Sequence, residues 1–211
     1  MMFLVKLGGS VITDKARLRT FRSGMVARLA GEIVRAGREV IVVHGAGSFG
    51  HVIADRYRIQ HGYLEDSQIQ GLARVAHDVR ELNLRVMRSF CERGLNAISI
   101  PPSVVAELDN GRLVELDTRP FERYLDMGIT PVTFGDVALD RSRKFGICSG
   151  DQLMEVLAER LSPEGAIFCA DVDGVYSSDP ALDKNARLIE EITPSALYDI
   201  PRTAKCVDVT G

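Results

Sequence analysis

The stretch EVIVVHGAGSFGH, Glu39 to His51, decides how the chain is read. Val40-Ile41-Val42-Val43 is a continuous apolar, β-branched run of the kind a strand shows. It runs directly into Gly45, Gly47 and Gly50, which spell G-x-G-x-x-G. A strand that ends in glycines and opens a helix aims several backbone N–H groups at one spot. The helix dipole adds positive potential there, so an anion is favoured, and phosphate is the natural occupant.

A dinucleotide-binding reading of the same glycines makes a further demand. It wants an acidic residue about 20 positions on, at the end of the next strand. Glu65 and Asp66 stand near that distance, but Ile53 to Tyr63 is polar and charged rather than strand-like. A second loop points elsewhere. Lys6-Leu7-Gly8-Gly9-Ser10 closes the apolar strand Phe3 to Leu7, with Lys6 on the strand itself and Lys15 in the same connection. The Walker A pattern occurs nowhere, yet a glycine turn beside a lysine holds phosphate oxygens and neutralises their charge. Two glycine loops, two lysines and a histidine suggest two phosphate groups meeting between them.

The rest of the chain extends the α/β alternation expected of a mostly parallel sheet. Met25, Leu29 and Ile33 predict a helix stopped by Gly37. Ile69, Leu72, Val75, Val79, Leu82, Val86 and Phe90 predict a long one over 67–93, closed by Gly94. Ala97–Ile100, Ile129–Phe134 and Ala166–Ala170 read as strands, Phe121–Met127 and Asp151–Leu161 as helices, and Ser195–Tyr198 as a short helical piece. Asp109-Asn110-Gly111-Arg112 reads as a hairpin turn. A soft boundary near Ser162-Pro163-Glu164-Gly165 divides the chain into lobes 1–161 and 162–211 that share one sheet.

Bulk properties narrow the partners. Hydrophobic content of 45%, charged content of 26% and a net charge of -3 are those of an ordinary globular protein. They give no electrostatic reason to expect nucleic acid or an anionic membrane. No apolar run approaches the roughly 18 residues of a membrane helix, and the amino terminus is too short in apolar residues for a signal peptide. Cys91, Cys148, Cys169 and Cys206 are scattered without a C-x-x-C pair, so reduced packing thiols and no protein-held metal are expected. The expected compartment is the cytoplasm.

Asp171-Val172-Asp173-Gly174-Val175-Tyr176 is the third distinctive piece. It is not an EF-hand loop, because Gly174 comes two positions too early. Its form suits a strand end followed by an Asx-type turn, at the sheet edge where α/β proteins bind ligands.

In this order, KLGGSVITDK at 6–15, HGAGSFGH at 44–51, GD at 135–136, SGDQL at 149–153 and DVDGVY at 171–176 resemble the amino acid kinase family. Within it, the first two motifs are most similar to its archaeal-type isopentenyl phosphate kinase branch, with His51 as the distinguishing residue. The resemblance implies an open αβα sandwich, a homodimer, and ATP-dependent phosphorylation of isopentenyl phosphate with Mg²⁺. Lobe 1–161 would bind the acceptor and lobe 162–211 the nucleotide. Lys6, Gly8, Gly9 and Ser10 would surround the transferring phosphate, and Lys15 would stabilise the transition state. Ala46, Gly47, Gly50, His51 and Gly150 would hold the acceptor, with Gly47 also near the nucleotide phosphates. Asp151 would orient the lysines, while Asp171, Asp173, Gly174 and Tyr176 would contact the nucleotide. Two other readings stand beside this one: a fosfomycin kinase-like or other small phosphate or phosphonate kinase, and a catalytically weak phosphate-binding regulator. The regulator arises because the family pattern carries a glycine and a lysine beyond Asp208-Val209-Thr210-Gly211, implying a truncated chain or a reduced nucleotide clamp.

Phosphoryl transfer depends on positioning and charge neutralisation more than on covalent help. A phosphate monoester ionises for the second time near pH ~6, so no general base is needed. His51 is therefore expected to donate a hydrogen bond to the acceptor phosphate, and His44 to serve loop structure; His61 and His77 are expected to carry no chemistry. Leu72, Val75, Val79 and Phe90 are the candidate walls for an apolar acceptor tail.

Overall fold

A computed structural model describes residues 1–14, 16–178, 180 and 182–193. It divides into two compact units, one running from Met1 to Cys169 and the other beginning at Ala170.

The first unit is built on β1 (Met2–Leu7), which leads into a single helical turn, α1 (Gly9–Ile12). A hairpin-like return, with Thr13 bridged to Phe21, precedes α2 (Ser23–Ala36). Gly37 ends α2 with a left-handed φ of 58°, a conformation that costs glycine least. Next come β2 (Glu39–His44), α3 (Gly47–Arg56) and the long α4 (Ser67–Glu92). They are followed by β3 (Ala97–Ser99), α5 (Pro102–Val105), β4 (Ala106–Asp109) and β5 (Arg112–Leu116). After α6 (Arg119–Asp126) the chain forms β6 (Thr130–Phe134), β7 (Asp136–Asp140) and β8 (Lys144–Cys148). α7 (Gly150–Leu161) and β9 (Gly165–Cys169) complete the unit.

Five strands form one sheet in the order β3-β6-β2-β1-β9, and every pairing in it is parallel. The period-two geometry of strands sorts its apolar residues between two faces. Val5, Leu7, Val40, Val42 and Val132 pack with Leu29 and Ile33 of α2 and Leu82, Val86 and Phe90 of α4. Leu4, Ile41 and Val43 pack on the opposite side with Phe121 of α6 and Leu153, Met154 and Leu157 of α7. Helices on both faces of a parallel sheet make the expected open αβα sandwich. They also explain why β2 reads as an uninterrupted apolar run.

A second sheet, β5-β4-β7-β8, was not foreseen. It combines antiparallel pairs β4·β5 and β7·β8 with a parallel pair β4·β7. The predicted turn at Asn110-Gly111 does join β4 to β5, with φ of 51° and 82° at its two central residues. The boundary expected near 162–165 is a helix end: Ser162 caps α7, and β9 then returns to the parallel sheet beside β1. The second unit contains a two-stranded antiparallel pair, β10 (Val175–Tyr176) and β11 (Leu188–Ile189). The helical piece expected at 195–198 lies outside the described residues.

Candidate active site

Three adjacent strands end in glycine at the same edge of the parallel sheet. Leu7 of β1 is paired with His44 of β2, and His44 with Phe134 of β6. Gly8, Gly45 and Gly135 are the next residues of each strand. The chain is stitched across this edge by Gly45 N–H to the Leu7 carbonyl at 3.0 Å and Gly135 N–H to the His44 carbonyl at 3.0 Å. The carboxyl edge of such a sheet is where α/β folds bind ligands.

The two glycine loops touch backbone to backbone. A Cβ on Gly9 would lie 2.8 Å from both N and Cα of Gly47, and one on Gly45 would lie 2.7 Å from the Gly9 nitrogen. Gly47 has a left-handed φ of 49°, and a Cβ there would meet Thr13 Oγ1 at 2.2 Å. Gly50 admits no side chain either, since its Cβ would sit 2.6 Å from the Ala46 Cβ and 3.1 Å from Val79. Gly9, Gly45 and Gly47 are thus required by close approach of main chains, which brings peptide groups of two loops to one place, and Gly50 by side-chain packing.

Thr13, which sequence reasoning missed, holds this contact together. The Thr13 hydroxyl donates to the Gly9 carbonyl at 2.6 Å and accepts the Ser48 N–H at 3.0 Å, linking α1 to the first turn of α3. Its signal lay in the SVITDK part of the first motif, where only the lysines and glycines carried an interpretation. His44 is fully buried, stacks on Phe134 at a centroid distance of 5.1 Å, and contacts the Gly45 carbonyl at 3.0 Å and the Asn83 carboxamide at 3.2 Å. Burial drives its pKa below the ordinary imidazole value, outweighing both hydrogen bonds. A neutral, braced His44 agrees with the loop-structure role expected for it.

Lys6 projects from β1 with little of its side chain exposed and forms an ion pair with Asp151 in the first turn of α7. Gly150, just before, has space for a Cβ only at contact distance from Val43, the His44 carbonyl and Lys6 Cε. The ammonium also stands 5.9 Å from the centre of the Phe168 ring on β9. Lys6, Gly150 and Asp151 therefore meet at the glycine edge. Asp136, the acid of the GD pair, begins β7 and is almost wholly buried. Burial pushes its pKa up to about 6 despite the opposing charge of Arg80, whose guanidinium is 3.2 Å away.

The remaining predicted residues divide three ways. Gly8 caps α1 and spends its N–H on the Cys169 carbonyl at 2.9 Å, so its amide serves the fold. Ser10 is buried within α1, Ala46 caps α3, and His51 is half-buried one residue past Gly50. Lys15 lies outside the described residues. Asp171, Asp173, Gly174 and Tyr176 belong to the second unit, where the Tyr176 hydroxyl donates to Asp173 at 3.4 Å. Of the candidate tail walls, Leu72, Val75 and Val79 join a cluster with Ala46, Phe134 and Val137. Phe90 does not; it faces α2 in another part of the core, because α4 is long enough to serve two clusters.

Phosphate-sized anions would suit this arrangement of amides and one ammonium, and a comparison with known sequences decides its lineage. The model of the amino acid kinase family matches residues 1–211. The chain belongs to the amino acid kinase family. Among members of that family, the isopentenyl phosphate kinase of Thermoplasma acidophilum is 38% identical over 210 residues, covering 100% of this chain and 82% of its own length. That of Methanothermobacter thermautotrophicus is 38% identical over 199 residues, covering 90% of this chain and 75% of its own. A solved isopentenyl phosphate kinase superposes with a TM-score of 0.86 at 36% identity, covering 94% of this chain and 84% of that one. A product complex of the T. acidophilum enzyme gives 0.83 at 37% identity, over 94% of this chain and 82% of that one.

Proposed function

We propose that this chain is an ATP-dependent kinase that phosphorylates isopentenyl phosphate to isopentenyl diphosphate. The observation that carries this reading is the backbone contact of two glycine loops beside the Lys6–Asp151 pair. Likeness to enzymes named isopentenyl phosphate kinase supports the choice of acceptor. A terminal oxygen of the acceptor phosphate attacks the γ-phosphorus of ATP, the bond from that phosphorus to the bridging oxygen breaks, and ADP departs. Transfer is direct, so the residues' task is to bring two anions together and offset their repulsion.

Lys6 neutralises the transferring group, held on line by Asp151, and Lys15 adds a second cation. Peptide N–H groups of Gly9 and Gly47 assist. His51 donates to the acceptor phosphate from α3, and Ala46, Gly50 and Gly150 shape its seat. Lobe 1–161 takes the acceptor, and Asp171, Asp173, Gly174 and Tyr176 of lobe 162–211 contact the nucleotide. The groups gathered at the glycine edge are amides and an ammonium whose carboxylate partner is already paired with it, and they fit phosphate oxygens rather than a bare cation. Mg²⁺ would therefore be carried on ATP's own oxygens, where it supplies further charge neutralisation. The enzyme is inferred to work as a cytoplasmic homodimer.

Coupled ADP release with Mg-ATP tests the acceptor, comparing isopentenyl phosphate, dimethylallyl phosphate and fosfomycin. Preferred turnover of isopentenyl phosphate is expected. Preference for fosfomycin would reassign the acceptor, and ligand binding without turnover would favour the regulator reading.

A further inference from the structure

We propose that Gln152 is a positioning residue for phosphoryl transfer: its carboxamide clasps the β4–β5 turn and so fixes the first turn of α7, from which Asp151 holds Lys6. The inference rests on the kinase reading above.

Asp151 has little to hold it apart from Lys6. Its side chain is 62% exposed, and the preceding residue is a glycine. The next residue is anchored at three points. Gln152 Oε1 accepts the Leu113 N–H at 2.9 Å, Nε2 donates to the Gly111 carbonyl at 3.1 Å, and the Gln152 N–H donates to Ser149 Oγ at 3.1 Å. A carboxamide carries its acceptor and its donor on separate atoms, so it serves an N–H and a carbonyl of the same hairpin at once.

The hairpin it grips is itself fixed. Asp140, at the end of β7, accepts N–H groups from Asn110 at 3.1 Å, Gly111 at 2.7 Å, Ser142 at 2.9 Å and Arg143 at 2.7 Å. Burial alone would raise the Asp140 pKa, but these four amides outweigh it and hold the carboxyl below its ordinary range. One carboxylate thus ties the β4–β5 turn to the β7–β8 turn. A line of polar contacts runs from Asp140 through Gly111 and Gln152 to the turn that bears Asp151, and from there to Lys6. The apolar contacts of Leu153, Met154 and Leu157 seat α7 on the sheet. The carboxamide adds a polar anchor to the first turn of the helix, one residue before the buried Leu153.

The test is kinetic, with isopentenyl phosphate and Mg-ATP. Gln152→Met keeps length and volume but offers the hairpin neither donor nor acceptor. It should lower kcat by about tenfold with both KM values nearly unchanged, since small misplacement of reacting groups costs rate more than binding. A double-mutant cycle identifies the route. Asp151→Asn alone should lower kcat, and adding Gln152→Met to it should change kcat by less than about twofold. Gln152→Asn, one methylene shorter, supplies the same comparison if the methionine variant does not fold. Wild-type kcat in folded Gln152 variants, or losses that multiply fully with Asp151→Asn, would overturn the proposal. If Asp151→Asn itself leaves kcat intact, the role given to the Lys6–Asp151 pair fails first and this inference falls with it.

Discussion

Thr13 and Gly9 lie one helical turn apart, and the hydroxyl of the first donates to the carbonyl of the second at 2.6 Å. The same oxygen accepts the Ser48 N–H of the facing loop at 3.0 Å. A single threonine thereby spans both glycine loops, and its removal is the mildest way to loosen them.

Thr13→Val keeps the shape and deletes both hydrogen bonds. Leaving a buried N–H without its partner costs about 1–3 kcal/mol, so the urea midpoint should fall and kcat should fall with it. Thr13→Ser, which retains the hydroxyl, should recover most of both. Equal losses in the two variants would assign the effect to the methyl group instead.

Gly9→Ala forces a Cβ to 2.8 Å from Gly47 backbone atoms, which no rotamer can relieve. The loops must part, with a stability loss of about 1–3 kcal/mol from overpacking and a kcat loss approaching 10²-fold from misplacement. Gly24→Ala is the matched control. It sits on α2 with nothing within 4 Å of its Cβ, so activity should be unchanged and stability equal or slightly higher. Comparable kinetics in the two alanine variants would contradict the contact between loops.

Asp136 gives a pH dependence with a definite sign. Its folded pKa stands near 6 against an ordinary value of 3.8. The native state therefore binds the proton more tightly, and this stabilisation, full below about pH 4, is lost as pH rises through about 6. The loss is on the order of 3 kcal/mol by pH 7. Asp136→Asn should remove that slope, so the variant gains on wild type between pH 4 and 7 in chemical denaturation. His44 acts oppositely, losing stability as pH falls below about 6.5, because burial favours its neutral form. Both proteins keep His44, so their difference isolates Asp136. A constant difference across that range would show that the fold does not raise the Asp136 pKa.

His51→Ala should raise the KM for isopentenyl phosphate by about tenfold or more, the worth of a hydrogen bond to a charged group. The KM for ATP should hardly move. The opposite pattern would place His51 on the nucleotide side.

Legibility in the sequence followed the range of the interactions. β2 was readable because a doubly buried strand must be apolar throughout, and the loop after it because close main-chain approach admits only glycine. α4 was readable over its whole length from its spacing, though spacing could not tell that Phe90 and Val79 face different clusters. Lys6 and Asp151 are 145 residues apart, and no local pattern joins them; only the family resemblance put both in one site. Thr13 and Gln152 were missed because their partners are peptide groups, which every residue has. β7 and β8 were missed because five-residue strands with charges at their ends, joined by Arg141-Ser142-Arg143, carry no hairpin dipeptide.

Transfer of a phosphoryl group from ATP to a phosphate is the activity proposed for the paired loops. Phosphorus NMR of isopentenyl phosphate with Mg-ATP and this chain follows the transfer directly. The monoester singlet should give way to two mutually coupled diphosphate resonances as ATP becomes ADP, and Lys6→Met should slow the change by at least an order of magnitude. A persistent monoester singlet, or ATP lost to inorganic phosphate with the acceptor untouched, would contradict it.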